Sequence, residues 1–185
     1  MSEKRIFIAI PLPEKVKEEL GRVRELLDPL SEGIKWTDIE NLHITLKFLG
    51  ETPEWVMDDV RQEFKRICSG LKSFQLQLSD LTQFPKTGDP RILLAGLQKV
   101  PALVYKLSDE LNTGFLSMGY DDTGKKFLPH ITLGRVKQKI HEDFLPAFYD
   151  IPLEDIVFTV DKIVLYESKY QRDLKYLTIE ECKLL

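Results

Sequence analysis

The tetrapeptide H-I-T-L stands at His43–Leu46 and again at His130–Leu133, and these two copies decide how the chain is read. The sequence holds three histidines in 185 residues, so two of the three open the same word. Ile, Thr and Leu favour strands, and one His-x-Thr is ordinary strand composition. Two identical copies at two of three histidines arise by chance about once in a thousand, from ordinary residue frequencies. A second echo lies close by, R-I-F-I-A from Arg5 and R-I-L-L-A from Arg91. Arg91 is 86 positions after Arg5, and His130 is 87 after His43. Each R-I strand is followed by a helix and then by an H-I-T-L strand, the trace of a duplicated strand–helix–strand unit. One unit alone is too small to bury its apolar face, so the two share a core about a pseudo-twofold axis.

The flanking elements fit this plan. Arg5 to Ile10 reads as a short buried strand stopped by Pro11. Val16, Leu20, Val23, Leu27 and Leu30 recur at helical spacing. Ile34–Thr37 and Leu42–Leu49 read as strands, the second ended by Gly50. Thr52 is placed as an N-cap with Pro53 in the first helical position, opening a helix that buries Val60, Phe64 and Ile67. Phe74–Leu78 alternates with period two, Thr87–Pro90 is a turn, and Arg91–Leu97 is a strand. A helix carries Leu103, Leu107, Leu111 and Phe115, and Phe144–Tyr149 makes a short helical turn. Ile156–Tyr166 and Leu174–Ile179 are expected to close the chain as one antiparallel pair.

Composition bounds the function. A 43% hydrophobic and 30% charged chain is ordinary for a globular protein, and residues 1–185 are expected to form one bilobal domain. A formal charge of −4 argues against a grip on long nucleic acid through many phosphates, but leaves room for one or two at a chain end. Cys68 and Cys182 are far apart in sequence and offer no zinc spacing or disulfide framework, so a reducing, cytoplasmic setting is expected. The first apolar run covers five residues before Pro11, too short for a signal-peptide core or a bilayer span, so no membrane association is expected.

In a strand, alternate side chains share a face, so His43 and Thr45 point one way while Ile44 and Leu46 enter the core. His130 and Thr132 stand likewise against Ile131 and Leu133. Two imidazoles across a groove are what cleavage of a phosphodiester needs. One takes a proton from water and the other gives a proton to the departing oxygen. The threonine hydroxyls can donate to the non-bridging phosphate oxygens. Neither motif supplies Glu, Asp or Cys on the histidine face, so chemistry without metal or other cofactor is favoured.

At these residues the sequence resembles the two-histidine phosphoesterases and, more narrowly, the bacterial and archaeal RNA 2′,3′-cyclic phosphodiesterases, often labelled 2′-5′ RNA ligases. The stretches that carry it are R-I-F-I-A-I, W-T-D-I-E-N-L-H-I-T-L-K-F-L-G, R-I-L-L-A-G-L, F-L-P-H-I-T-L-G-R-V-K and I-V-L-Y-E-S. The resemblance implies an α+β fold in which two antiparallel sheets form a V-shaped cleft with helices outside. It implies hydrolysis of a terminal 2′,3′-cyclic phosphate to a 2′-phosphate, acting on RNA 3′ ends or nucleotides; separately, a monomer is expected. It makes His43 the proton donor to O3′ and His130 the acceptor from water, although the two motifs are identical. It also makes Arg135 a phosphate contact. Plain alternation turns Arg135 away from His130, and a bulge at Gly134 is what could re-aim it. Lys47 falls on the His43 face by the same counting. Tyr170, in a polar loop, is the candidate for stacking a terminal base, ahead of Trp36 and Phe7, which are expected in the core; His141 reads as a surface residue. Ligation through the same site, and non-catalytic binding of RNA ends, stand as the competing functions.

Overall fold

The computed structural model describes residues 3–121, 124, 126–170 and 174–185. In chain order these form β1 (Glu3–Pro11), α1 (Glu14–Leu27), β2 (Ile34–Trp36), β3 (His43–Pro53), α2 (Met57–Cys68), β4 (Phe74–Phe84) and β5 (Ile92–Gln98). There follow α3 (Ala102–Ser117), β6 (His130–Val136), α4 (Phe144–Asp150), β7 (Val157–Val160), β8 (Lys162–Tyr170) and β9 (Leu174–Lys183). Among the described residues no helix is long and apolar enough to cross a membrane.

The strands run β7-β4-β5-β6-β3-β1-β8-β9, and every pairing is antiparallel. That order is symmetric about its middle. β3 mirrors β6, β1 mirrors β5, β8 mirrors β4 and β9 mirrors β7, with α1 after β1 matched by α3 after β5. The duplication expected from the sequence is therefore present in the topology. It also extends one strand further. β4, at the end of the first repeat, lies beside β5 of the second, and β8 from the second lies beside β1 of the first. Each half borrows a strand from the other repeat.

The two halves meet at one residue pair, Ile44 opposite Ile131. Beyond it β3 and β6 part, and β2 enters against β6 with Trp36 opposite Gly134 and Ile34 opposite Val136. The two sheets of the V are thus one continuous sheet, sharply curled at this junction. Gly33 fixes where β2 enters, at φ +83°, and its carbonyl accepts from the Lys137 and Gln138 amides. A Cβ there would come within 2.8 Å of the Lys139 carbonyl oxygen. Gly33→Ala is therefore expected to lower stability by about 1–3 kcal/mol, read as a fall in the chemical-denaturation midpoint.

The helices cover one face of the sheet. Val16, Leu20, Val23 and Leu27 of α1, Val60, Phe64 and Ile67 of α2, and Val104, Leu107, Leu111 and Phe115 of α3 enter a common core with Ile44 and Ile131. Each such side chain contributes about 1.5–3 kcal/mol on full burial. Phe7, Ala9, Leu94 and Val164 are also buried but stand outside that cluster, on the opposite, concave face.

Three expectations change. Thr52 is no N-cap, because β3 passes Gly50 and pairs with β1 as far as Pro53, and a 3-10 turn at Glu54–Val56 precedes α2. Ile156–Tyr166 is not one strand, since it breaks at Asp161 and sends β7 to β4 and β8 to β1. The R-I-x-x-A echo is one position out of structural register. His43 pairs with Pro11 and His130 with Gly96, so the β1-to-β5 correspondence runs at 85 rather than 86. Cys68 and Cys182 are free thiols, and burial pushes the Cys68 thiol up to about 12.

Candidate active site

Ile44 and Ile131 face the helices, so the residues flanking them face the cleft. The antiparallel register then sets His43 opposite Thr132 and Thr45 opposite His130. The two histidines form the diagonal of this square, with Cβ atoms about 7–8 Å apart in a regular pair. That spacing leaves room for one phosphorus atom between the rings.

Both rings are held the same way. His43 Nδ1 lies 2.7 Å from the Asn41 carbonyl oxygen and His130 Nδ1 lies 2.7 Å from that of Leu128. A carbonyl only accepts, so each Nδ1 carries the proton and each Nε2 is left for chemistry. His43 Nε2 meets the Thr45 hydroxyl at 2.9 Å, which donates to it while the ring is neutral. The tautomer is set by backbone two residues upstream in both copies.

The surroundings differ. Phe7 lies 4.9 Å from the His43 ring and Tyr176 meets it edge-on at 5.2 Å. Burial pushes the His43 pKa below its ordinary value, the Asn41 carbonyl opposes this, and the charge of His130 adds to the lowering. The unfolded chain therefore binds more protons than the folded one between the lowered value and about 6.5. This contribution costs stability as pH falls through that window. We expect His43 to titrate below about 6.5 by NMR, and added inorganic phosphate to move it upward by stabilising the imidazolium.

A bulge follows each H-I-T-L and decides what lies next to it. In β3, Thr45 pairs with Ala9 and Lys47 with Ile8, leaving Leu46 extra. In β6, Thr132 pairs with Leu94 and Gly134 with Leu93, leaving Leu133 extra. Alternation flips at both places. Lys47 turns into the protein, 4% exposed, and donates to the Asp121 carbonyl, so it is not on the His43 face. Phe48 takes that place, 59% exposed, with its ring 5.9 Å from Phe7. Arg135 is the counterpart of Phe48 in the second half, and it is exposed. The bulge thus aims Arg135 at the cleft, and its charge lowers the phenol pKa of Tyr176, against the larger raising effect of burial.

Sequence reasoning missed Phe48 and Tyr176. Phe7 is buried as expected, 3% exposed, but on the cleft face, stacked on Tyr166 at 5.4 Å and edge-on to Tyr176 at 4.8 Å. Tyr176 reaches His43 because the sheet curls until β9 returns to the segment before β3, where Asn41 Nδ2 donates to the Leu174 carbonyl. The β8–β9 register, which sets Tyr176 opposite Ser168, is fixed by tertiary pairing and leaves no signal in the sequence. The backbone of Tyr170 ends β8, and its side chain lies outside the described residues. Trp36 packs 6.2 Å from Phe144 and donates to the Ser31 hydroxyl, away from the histidines. His141 is on the surface beside Asp143. Among the described residues no three His, Cys, Asp or Glu side chains converge as metal ligands.

The profile of the 2′-5′ RNA ligase superfamily matches residues 12–172. The chain belongs to that superfamily. Among relatives of this 2′-5′ RNA ligase superfamily member is the RNA 2′,3′-cyclic phosphodiesterase of Thermotoga maritima, 32% identical over 169 residues, 89% of this chain and 86% of that protein. The enzyme of the same name from Methanocaldococcus jannaschii is 29% identical over 168 residues, 89% of this chain and 91% of that one. Two crystal structures share the superfamily member's fold over nearly its whole length. A Thermus thermophilus protein has TM-score 0.83 and 27% identity, covering 97% of each chain. Escherichia coli LigT complexed with 3′-AMP has TM-score 0.83 and 25% identity, covering 99% of each.

Proposed function

We propose that this protein is an RNA 2′,3′-cyclic phosphodiesterase, opening a terminal cyclic phosphate to a 2′-phosphate with His43 and His130 as its acid–base pair. The observation that supports this best is that both imidazoles are locked by a carbonyl on Nδ1 and offer Nε2 to one cleft. Relatives bearing that activity cover most of the chain.

In the reaction, water attacks phosphorus in line with the P–O3′ bond and passes its proton to His130 Nε2. The new P–O bond forms as P–O3′ breaks, and O3′ takes a proton from His43 Nε2. Thr45, Thr132 and Arg135 receive the charge growing on the non-bridging oxygens. A bound phosphate raises the affinity of His43 for its proton, against the burial that depresses it in the free protein. Phe48 offers an exposed ring for the terminal base, and stacking there reads no sequence.

The test is product analysis on an oligoribonucleotide ending in a 2′,3′-cyclic phosphate. A 2′-phosphate, a bell-shaped pH profile and activity that survives chelator are the expected results. A 3′-phosphate product, or activity lost with chelator and restored by a metal ion, overturns the reading. Ligation to a 5′-hydroxyl is the same site run backwards, and water at bulk concentration makes it the minor direction. A single working domain, acting as a monomer in a reducing cytoplasm, goes with this proposal.

A further inference from the structure

We infer that Arg5, with the Tyr176 hydroxyl, forms a second anion subsite for the phosphate on the 5′ side of the terminal nucleotide, so that the preferred substrate is an oligoribonucleotide end rather than a free cyclic nucleotide. This rests on the cyclic phosphodiesterase reading above.

Arg5 is two residues before Phe7 on β1, on the same face and about 7 Å along the strand. The Phe7 ring touches both His43, at 4.9 Å, and Tyr176, at 4.8 Å, and those two rings meet each other at 5.2 Å. The three rings form one cluster at the catalytic imidazole, and Arg5 is the next residue beyond it on that face of β1. The register carries Arg5 to the same transverse row as Tyr176, because Ile6 pairs with Glu167 and Ser168 pairs with Tyr176. Burial keeps the Tyr176 phenol protonated and able to donate, and its two charged neighbours are Arg135 from one half and Arg5 from the other.

Arg5 is exposed and has no carboxylate within ion-pair distance among the described residues, although Glu51 is its direct cross-strand neighbour. Arg22, Arg61 and Arg66 are each paired, at 2.7, 3.2 and 2.7 Å. One guanidinium suffices for one cyclic phosphate, and Arg135 stands nearest that duty. Arg5 is a second, unassigned one.

Symmetry gives the direction. The pseudo-twofold mate of Phe48 is Arg135, and the mate of Phe7 is Ile92. Two residues before Ile92 is Pro90, so the second half has no counterpart of Arg5. The two histidines are nearly equivalent, but an RNA chain leaving them meets a base platform and a cation only over the β1 half.

The test compares uridine 2′,3′-cyclic phosphate with the same nucleotide carrying a 5′-phosphate. The wild-type protein is expected to favour the second by roughly ten- to hundredfold in kcat/KM, through KM and with a steeper fall in added salt. Arg5→Gln brings that ratio close to one, Arg5→Lys keeps part of it, and Glu51→Gln retains it. An unchanged ratio in Arg5→Gln, or wild-type protein opening both substrates equally well, overturns the subsite and leaves the activity standing. Wild-type protein opening neither overturns the activity, and the subsite with it. Thermal melts of the variants separate lost folding from lost preference.

Discussion

His43→Ala and His130→Ala each lower kcat on a 2′,3′-cyclic phosphate by about 10²–10⁴-fold, with the melting temperature nearly unchanged. Both rings are only partly buried and lie outside the hydrophobic core, so their loss leaves the helix face intact. The double variant should fall little below the worse single one, because proton delivery and removal serve one transition state. The two variants differ in how they are rescued. A substrate with sulfur in place of the bridging O3′ departs without needing a proton. His43→Ala should recover most of its lost rate on that substrate, and His130→Ala should recover none. The opposite pattern would reverse the roles. That reversal has one observation in its favour, since burial and the charge of His130 both depress the His43 pKa in the free protein. The anionic substrate acts against both effects, and a depressed pKa also makes the imidazolium a stronger acid.

Arg135→Gln is expected to cost about 10²–10³-fold in kcat/KM, the next largest loss. The extra residue at Leu133 flips the alternation of β6, so Gly134 packs against Trp36 and Ile34 while Arg135 turns to the cleft. A guanidinium there can hold two non-bridging oxygens at once, whereas an ammonium cannot copy that fork, so Arg135→Lys should restore only part of the rate. A loss confined to KM would mean that Arg135 binds substrate and transition state equally, and single-turnover rates at saturating substrate make that distinction.

What the sequence discloses here follows from which physical rule governs each residue. The H-I-T-L strands were legible because a repeated tetrapeptide and strict alternation hold as far as Thr45 and Thr132. Alternation fails at Lys47 for the reason it fails at Arg135. A bulge costs one residue of register and leaves no mark at Leu46, while at Gly134 the glycine gave warning. Thr52 has the composition of a helix cap, yet a long partner in β1 keeps its backbone in the ladder. Asp161 looks like an interruption in one strand, and only tertiary pairing makes it the crossing between halves. Tyr176 was invisible because its approach to His43 depends on the curl of the whole sheet, a property no window of sequence contains.

The exchange of β4 and β8 between the repeats also governs how the protein can be made. β1 leaves the ribosome well before β8 and waits for residues of β8 to complete its flank, more than 150 positions later. Until then its apolar face has an open strand edge, which in a crowded cell invites pairing with a neighbouring nascent chain. Closure of the molecule is thus a late and long-range event in biosynthesis, and neither repeat can finish its half before the other exists.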